Sequence, residues 1–283
     1  MSTAVRLGEL VLANQVMAAA GCLAEEVLRA RPGSLPPLGA WVTSSLAARS
    51  SRGVPPRLAE APAGVLYTPG TTRTGIAGTL RRRAAVWASL PEPVIVSLTG
   101  DSPEALAAAA AVLEGERAVA AVELDLVTGD EQTDESLGWA PEAVGEAVRL
   151  VRRARPGPVL AKLPADAPDL GAGLRAAAAA KADAAVVGGG FLAATRRLVG
   201  PATFPLLLAI VSRIAPVAPL PIVAGGGIGS AAHVRAYLRA GAAAVQVGSA
   251  LLADPLAGNR IAALLGGHPI GTDADLGPQR HLE

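Results

Sequence analysis

Three observations predict a (β/α)8 barrel. Short apolar, β-branched runs alternate with longer helical patterns. Eight such runs occur. The 283 residues suit one barrel of about 250 residues as well as they suit two smaller domains. The runs are Val16–Gly21, Ala40–Ser44, Val94–Leu98, Ala120–Leu126, Val159–Leu163, Ala184–Gly188, Pro221–Ala224 and Ala243–Gly248. Each is apolar on both faces, which is how buried parallel strands read.

The helices between them have their own signals. Ser102, followed by Glu104 and an alanine run, reads as an N-cap. Pro141 to Arg155 sets Val144, Val148 and Val151 against Arg149, Arg152 and Arg153, an amphipathic helix that stops before Pro156. Pro205–Ile214, Ala231–Arg239 and Leu256–Leu265 make three more. Val5–Leu12 alternates like a hairpin and is expected to cap the lower end of the barrel. Ser45 to Gly75 is the longest stretch without clear structure, with Pro55, Pro56, Pro62 and Pro69 in it, and reads as a lid or a disordered loop. No linker or second domain interrupts the alternation. Residues 1–283 are therefore expected to form one domain, with a core over 5–267 and a tail over 268–283.

Composition removes several classes. Apolar residues make up 51% of the chain and charged residues 17%, which excludes a disordered chain. One cysteine, Cys22, excludes a disulfide scaffold; it reads as a small packing residue rather than a nucleophile. A net charge of +1 and 2% aromatic residues leave no footprint for nucleic acid. No apolar run reaches a membrane span of roughly 18 residues, and the first residues lack a signal-peptide pattern. A cytoplasmic protein is expected. His233, His268 and His281 lack metal-ligand spacing, so no metal is expected.

Active sites in such barrels form at the C-terminal ends of the strands. Strand seven ends in Gly225-Gly226-Gly227-Ile228-Gly229-Ser230 and strand eight in Gly248-Ser249. Glycines let backbone amides approach an anion, and these two loops are where many barrels hold a phosphate. Tight turns alone also explain such glycines. Lys162, one of two lysines in the chain, sits inside the apolar run of strand five. It either snorkels to the mouth or acts there, holding an electron-rich ring or forming a Schiff base. Asp125, Thr128 and Asp130 end strand four. They read equally as turn residues and as groups that activate one another.

Further segments carry a resemblance: Leu12–Gly21, Pro55–Gly64, Pro93–Gly100, Val159–Leu163, Gly200-Pro201-Ala202, Gly225–Ile228 and Ala244–Ala250. In this order and spacing the chain resembles the dihydroorotate dehydrogenase family of FMN-dependent (β/α)8 barrels, from Val5 to Pro255. The resemblance implies an FMN cofactor. Its phosphate would be held by amides of Gly226, Gly227, Gly248 and Ser249, with Gly200 beside it. Lys162 would face the flavin pyrimidine edge, and Ala19, Ala20 and Gly21 the isoalloxazine. Ser44 and Asp125 complete the implied cofactor set.

The substrate half departs from the family. A family lysine becomes Ser44 in Val42-Thr43-Ser44, and two asparagines become Tyr67 and Arg73. The catalytic Cys or Ser becomes Thr128, and an Asn-Thr pair becomes Gly189-Gly190. Losing four or five such groups, at about 1.5–3 kcal/mol for each charged hydrogen bond, removes orotate recognition as the family achieves it. The expectation is an FMN-dependent oxidoreductase, related to pyrimidine-biosynthesis enzymes, that passes hydride from a small molecule other than dihydroorotate to flavin N5. Thr128 and Lys162 are its candidate catalytic residues, and Tyr67, Arg73, Asp130 and Gly189 line its substrate pocket. The resemblance also implies a homodimer and, in one branch, a separate electron-transfer subunit. The alternatives are a non-catalytic scaffold with or without FMN, and a Schiff-base lyase or aldolase using Lys162 on a phosphorylated substrate.

Overall fold

The computed structural model describes residues 4–127, 136–194 and 196–267. Eight parallel strands close into a ring: β1 (Val16–Ala18), β2 (Ala40–Val42), β3 (Val94–Leu98), β4 (Ala121–Asp125), β5 (Val159–Pro164), β6 (Ala184–Gly188), β7 (Ile222–Gly225) and β8 (Ala244–Val247). Each pairs with its neighbours in sequence order, and β8 closes on β1. All eight expected strands are present, some trimmed at their ends. Helices follow each of them, including Pro103–Ala111, Pro141–Ala154, Phe204–Ile214 and Ala231–Arg239. Ser102 caps the first of these by accepting from the amide of Ala105.

Alternation along each strand sorts side chains into an outer and an inner set. The outer set, Val16, Trp41, Val96, Val122, Ala161, Val187, Ala224 and Val245 among it, packs against the helices. The inner set begins with an apolar layer: Met17, Val42, Ile95, Ala121, Leu160, Val186, Val223 and Ala244. The hairpin Val5–Leu7/Leu10–Leu12 inserts Leu7, Leu10 and Leu12 into that layer and plugs the lower end, as the sequence predicts. Two residues further along β3, β4, β5 and β8, the same inward face carries Ser97, Glu123, Lys162 and Gln246. The barrel interior therefore changes from apolar to polar on the way to its mouth.

Residues 45–75 correct the expectation of an unstructured stretch. Leu46–Ala47 and Thr74–Gly75 pair beside β3, and Arg57–Ala61 and Gly64–Thr68 form a hairpin. That hairpin joins a second one, Phe191–Ala193/Arg196–Val199, in a four-stranded antiparallel sheet. The prolines punctuate the strands instead of breaking them. Pro56 precedes the first, Pro62 lies in the turn and Pro69 follows the second.

Arg197 anchors this sheet to the barrel. It is buried, and its Nε donates to the carbonyl of Gly189 at 2.6 Å. Its Nη2 donates to Asp166 Oδ1 at 2.7 Å and to the carbonyl of Gly190 at 3.1 Å. Asp166 Oδ2 in turn accepts from the amide of Leu192. Hydrogen bonds from a charged donor contribute about 1.5–3 kcal/mol each. Arg197→Ala is therefore expected to speed amide exchange at least about tenfold in 64–68 and 191–199 while the barrel strands keep their protection. Equal protection in both proteins would show that the sheet is held by other contacts.

Candidate functional site

The C-terminal mouth gathers polar side chains from four barrel strands, β3, β4, β5 and β8. Glu123 is fully buried inside the ring. Lys162 Nζ lies 3.4 Å from Glu123 Oε1, and Gln246 Nε2 donates to Glu123 Oε2. Oε2 thus accepts a hydrogen bond, while Oε1 has no hydrogen-bond donor and faces the ammonium of Lys162 as an ion pair. The Glu123 carboxyl pKa lies above the usual carboxylate value, because burial pushes it up by more than the Lys162 ammonium and Gln246 pull it back. Desolvation works against the charge on Lys162, but the carboxylates of Glu123 and then Asp125 outweigh it and hold its pKa above the usual lysine value. Lys162 is thus a fixed cation. An amine that attacks a carbonyl must first be neutral, so this arrangement opposes Schiff-base chemistry.

Asp125 lies on the inward face one step above Glu123, which settles its direction. Its Oδ2 accepts from Ser45 Oγ at 3.0 Å, and its Oδ1 accepts from the amide of Val127 at 3.4 Å. Ser45 Oγ also lies 2.9 Å from Ser97 Oγ. Tyr67 reaches this group from the four-stranded sheet. Its phenol is kept protonated first by burial, then by Asp125, with Lys162 and Arg73 working in the opposite direction. Cys22 stands near the same ammonium, and burial pushes its thiol pKa up, which suits a packing residue better than a nucleophile.

The two glycine turns leave the barrel at the same level, because Gly225 of β7 pairs with Gln246 of β8. Gly226 and Gly227 have φ of +154° and +64°, which disfavours L side chains. A Cβ on Gly226 would stand 1.9 Å from Leu207 Cδ1, and one on Gly227 would stand 2.6 Å from the Phe204 amide nitrogen. These two glycines are thus required by backbone and packing. Gly248 is not: a Cβ there would meet only Ala19 Cβ and Cys22 Sγ, both at 3.5 Å. Among the described residues, no backbone carbonyl accepts from the amides of Gly226, Gly227, Gly248 or Ser249. Tyr237 steadies the first turn by donating to the carbonyl of Gly226 at 2.9 Å. Phe204 stacks on His233 with ring centroids 4.0 Å apart, and His233 Nδ1 accepts from the amide of Gly229.

The remaining sequence candidates fall in several places. Ala19 and Ala20 follow β1 at the mouth, half-buried. Gly21 (φ +71°) faces Ser44, whose Oγ would lie 3.7 Å from a Cβ on that glycine. Gly200 is buried where the chain crosses Gly64, and a Cβ there would lie 2.8 Å from Gly64 Cα. Gly189 (φ +81°) turns beneath Arg197, and a Cβ there would strike Val127. Arg73 pairs with Asp101 at 3.1 Å. Thr128 and Asp130 lie outside the described residues.

Sequence reasoning passed over Glu123, Gln246, Ser45, Ser97 and Arg197. Glu123 and Gln246 had a readable signal: each is a charged or amide residue within an apolar strand, two residues beyond an inward alanine.

A sequence profile for dihydroorotate dehydrogenase matches residues 2–189, and one for nitronate monooxygenase matches residues 172–257, the part that holds both glycine turns. Three curated relatives, from Citrifermentans bemidjiense, Geotalea daltonii and Desulforudis audaxviator, are each named dihydroorotate dehydrogenase B (NAD(+)), catalytic subunit. The first is 31% identical over 274 residues, 91% of this chain and 90% of the relative. The second is 32% identical over 275 residues (92% and 90%), and the third 31% over 279 (93% and 91%). No helix among the described residues is long and apolar enough to cross a membrane.

Proposed function

Because this chain belongs to the dihydroorotate dehydrogenase family, we propose that it is an FMN-dependent oxidoreductase acting on a small molecule other than dihydroorotate. The observation that carries this reading is the meeting, at one barrel mouth, of amide-lined turns on β7 and β8 with a lysine held cationic on β5. The chemistry that a bound FMN would supply here is hydride acceptance at its N5.

The chain's residues do the rest. The amides of Gly226, Gly227, Gly248 and Ser249 bind the phosphate end, where they are available without breaking any backbone hydrogen bond. Ala19, Ala20 and Gly21 offer a wall of small residues to a flat ring. Lys162 keeps a positive charge at the mouth, which favours a reduced, anionic ring. Glu123 and Gln246 fix that ammonium in place. Tyr67 hangs over the same group with its phenolic proton retained, which makes it an acid or a hydrogen-bond donor toward substrate rather than a base. Ser44, Tyr67 and Arg73 stand where the family has a lysine and two asparagines, which supports a changed substrate. Thr128, two residues before Asp130 in sequence, is the residue we assign to proton abstraction, with Asp130 or Asp125 activating its hydroxyl, and residues 1–283 are read as one domain.

The relatives' designation as a catalytic subunit supports a partner chain that carries electrons away from the barrel. Purified protein is expected to be yellow and to release a flavin on denaturation. Dihydroorotate is expected to leave the spectrum unchanged under anaerobic conditions. Colourless protein that takes up no added FMN would remove the cofactor reading. Rapid bleaching by dihydroorotate would instead restore the family's own substrate.

A further inference from the structure

A second positively charged cavity lies outside the ring, away from the glycine turns. Its volume is about 510 Å3, and Arg49, Ser50, Arg73, Gly75, Arg81 and Arg82 are among its lining residues. One wall is the segment after Leu46–Ala47, the other the start of helix Ile76–Trp87. The floor is firmly paired: Ser51 and Arg73 exchange amide hydrogen bonds of 3.0 and 3.1 Å, and Ala47 sits in register with Gly75. Leu46 pairs with Leu98 of β3, and in a ring of eight β3 stands opposite β7.

Four guanidinium groups face this space with little to neutralise them. Arg73 pairs with Asp101, which is itself 76% exposed. Among the described residues, no carboxylate pairs with Arg49, Arg81 or Arg82. Arg81 Nη2 and Arg82 Nη1 converge, both within 4 Å of the point where a Cβ on Gly78 would stand. Like charges brought together in a concavity repel one another unless an anion lies between them. The helix adds to the same field. Its N-cap is Gly75, no side chain caps it, and its first turn holds no acid.

We propose that this cavity binds a ligand carrying two or more phosphate groups, through Arg49, Arg73, Arg81 and Arg82. Guanidinium forks match phosphate oxygens two at a time, which favours Arg over Lys at such a site. The volume falls within the range of small-ligand pockets.

Inorganic tripolyphosphate, titrated calorimetrically into the protein pre-saturated with FMN, tests this. One site is expected, unchanged flavin absorbance, and an affinity that falls as salt is raised. Arg81→Gln/Arg82→Gln and, separately, Arg49→Gln on the other wall are expected to weaken binding at least about tenfold. Arg153→Gln, an exposed arginine elsewhere, is expected to leave it unchanged. Absent heat, equal affinity in all variants, or release of flavin by tripolyphosphate would overturn the proposal. A protein that binds no FMN would count against the cofactor reading, while the arginine dependence would still decide this one.

Discussion

Glu123→Leu is expected to destabilise the protein by about 3–5 kcal/mol, the largest stability loss of any single change at the mouth. Glu123 is fully buried, and its carboxylate is the nearest countercharge to Lys162, 3.4 Å away. Removing one member of a buried pair leaves the other as an uncompensated charge, which costs more than the pair contributes. Asp125 is the other acid acting on Lys162, but Ser45 and the Val127 amide already occupy its oxygens. The double variant Glu123→Leu/Lys162→Met removes both charges and is expected to recover most of the loss, because well-packed apolar residues often replace buried ion pairs without penalty. Chemical denaturation of the two single variants and the double variant measures the coupling. Additive effects would mean that the two side chains do not depend on each other.

The second large effect is on ligand binding with the fold kept. Gly248→Asp is expected to lower FMN affinity at least about a hundredfold, since a like charge set against a phosphate costs several kcal/mol. The substituted side chain has room, because a Cβ at Gly248 meets only ordinary contacts at 3.5 Å. Melting temperature is therefore expected to move by only a few degrees. Gly227 contrasts with this: φ is +64° and a Cβ there would be 2.6 Å from the Phe204 amide nitrogen, so substitution damages folding first. Flavin-to-protein ratio and a fluorescence titration with FMN report the binding arm. Full flavin content in Gly248→Asp would place the phosphate away from these turns.

Barrel strands, helices and the N-terminal hairpin were legible because local pattern dictates them. A run such as Val94–Leu98 is apolar at every position but Ser97 and buried throughout, and only a strand buried on both faces suits it. Ser102 announces its helix, and the structure shows it and Ser230 each accepting a hydrogen bond from the amide three residues ahead. The four-stranded sheet over 57–68 and 191–199 was not legible. Its strands are half-exposed, Leu58 and Leu192 face solvent, and its central pairing joins Leu66 to Leu198 across nearly half of the chain.

The order of residues by itself determined an eight-stranded barrel and marked Lys162 and the two glycine turns, since composition, periodicity and turn chemistry are local properties. Only the tertiary structure decided what surrounds them. Closing the ring brings Glu123 of β4, Lys162 of β5 and Gln246 of β8 together, and the sheet brings Tyr67 within electrostatic reach of Asp125 and Lys162. Charge, protonation and access depend on distances across the ring, and neighbours in space are not neighbours in sequence.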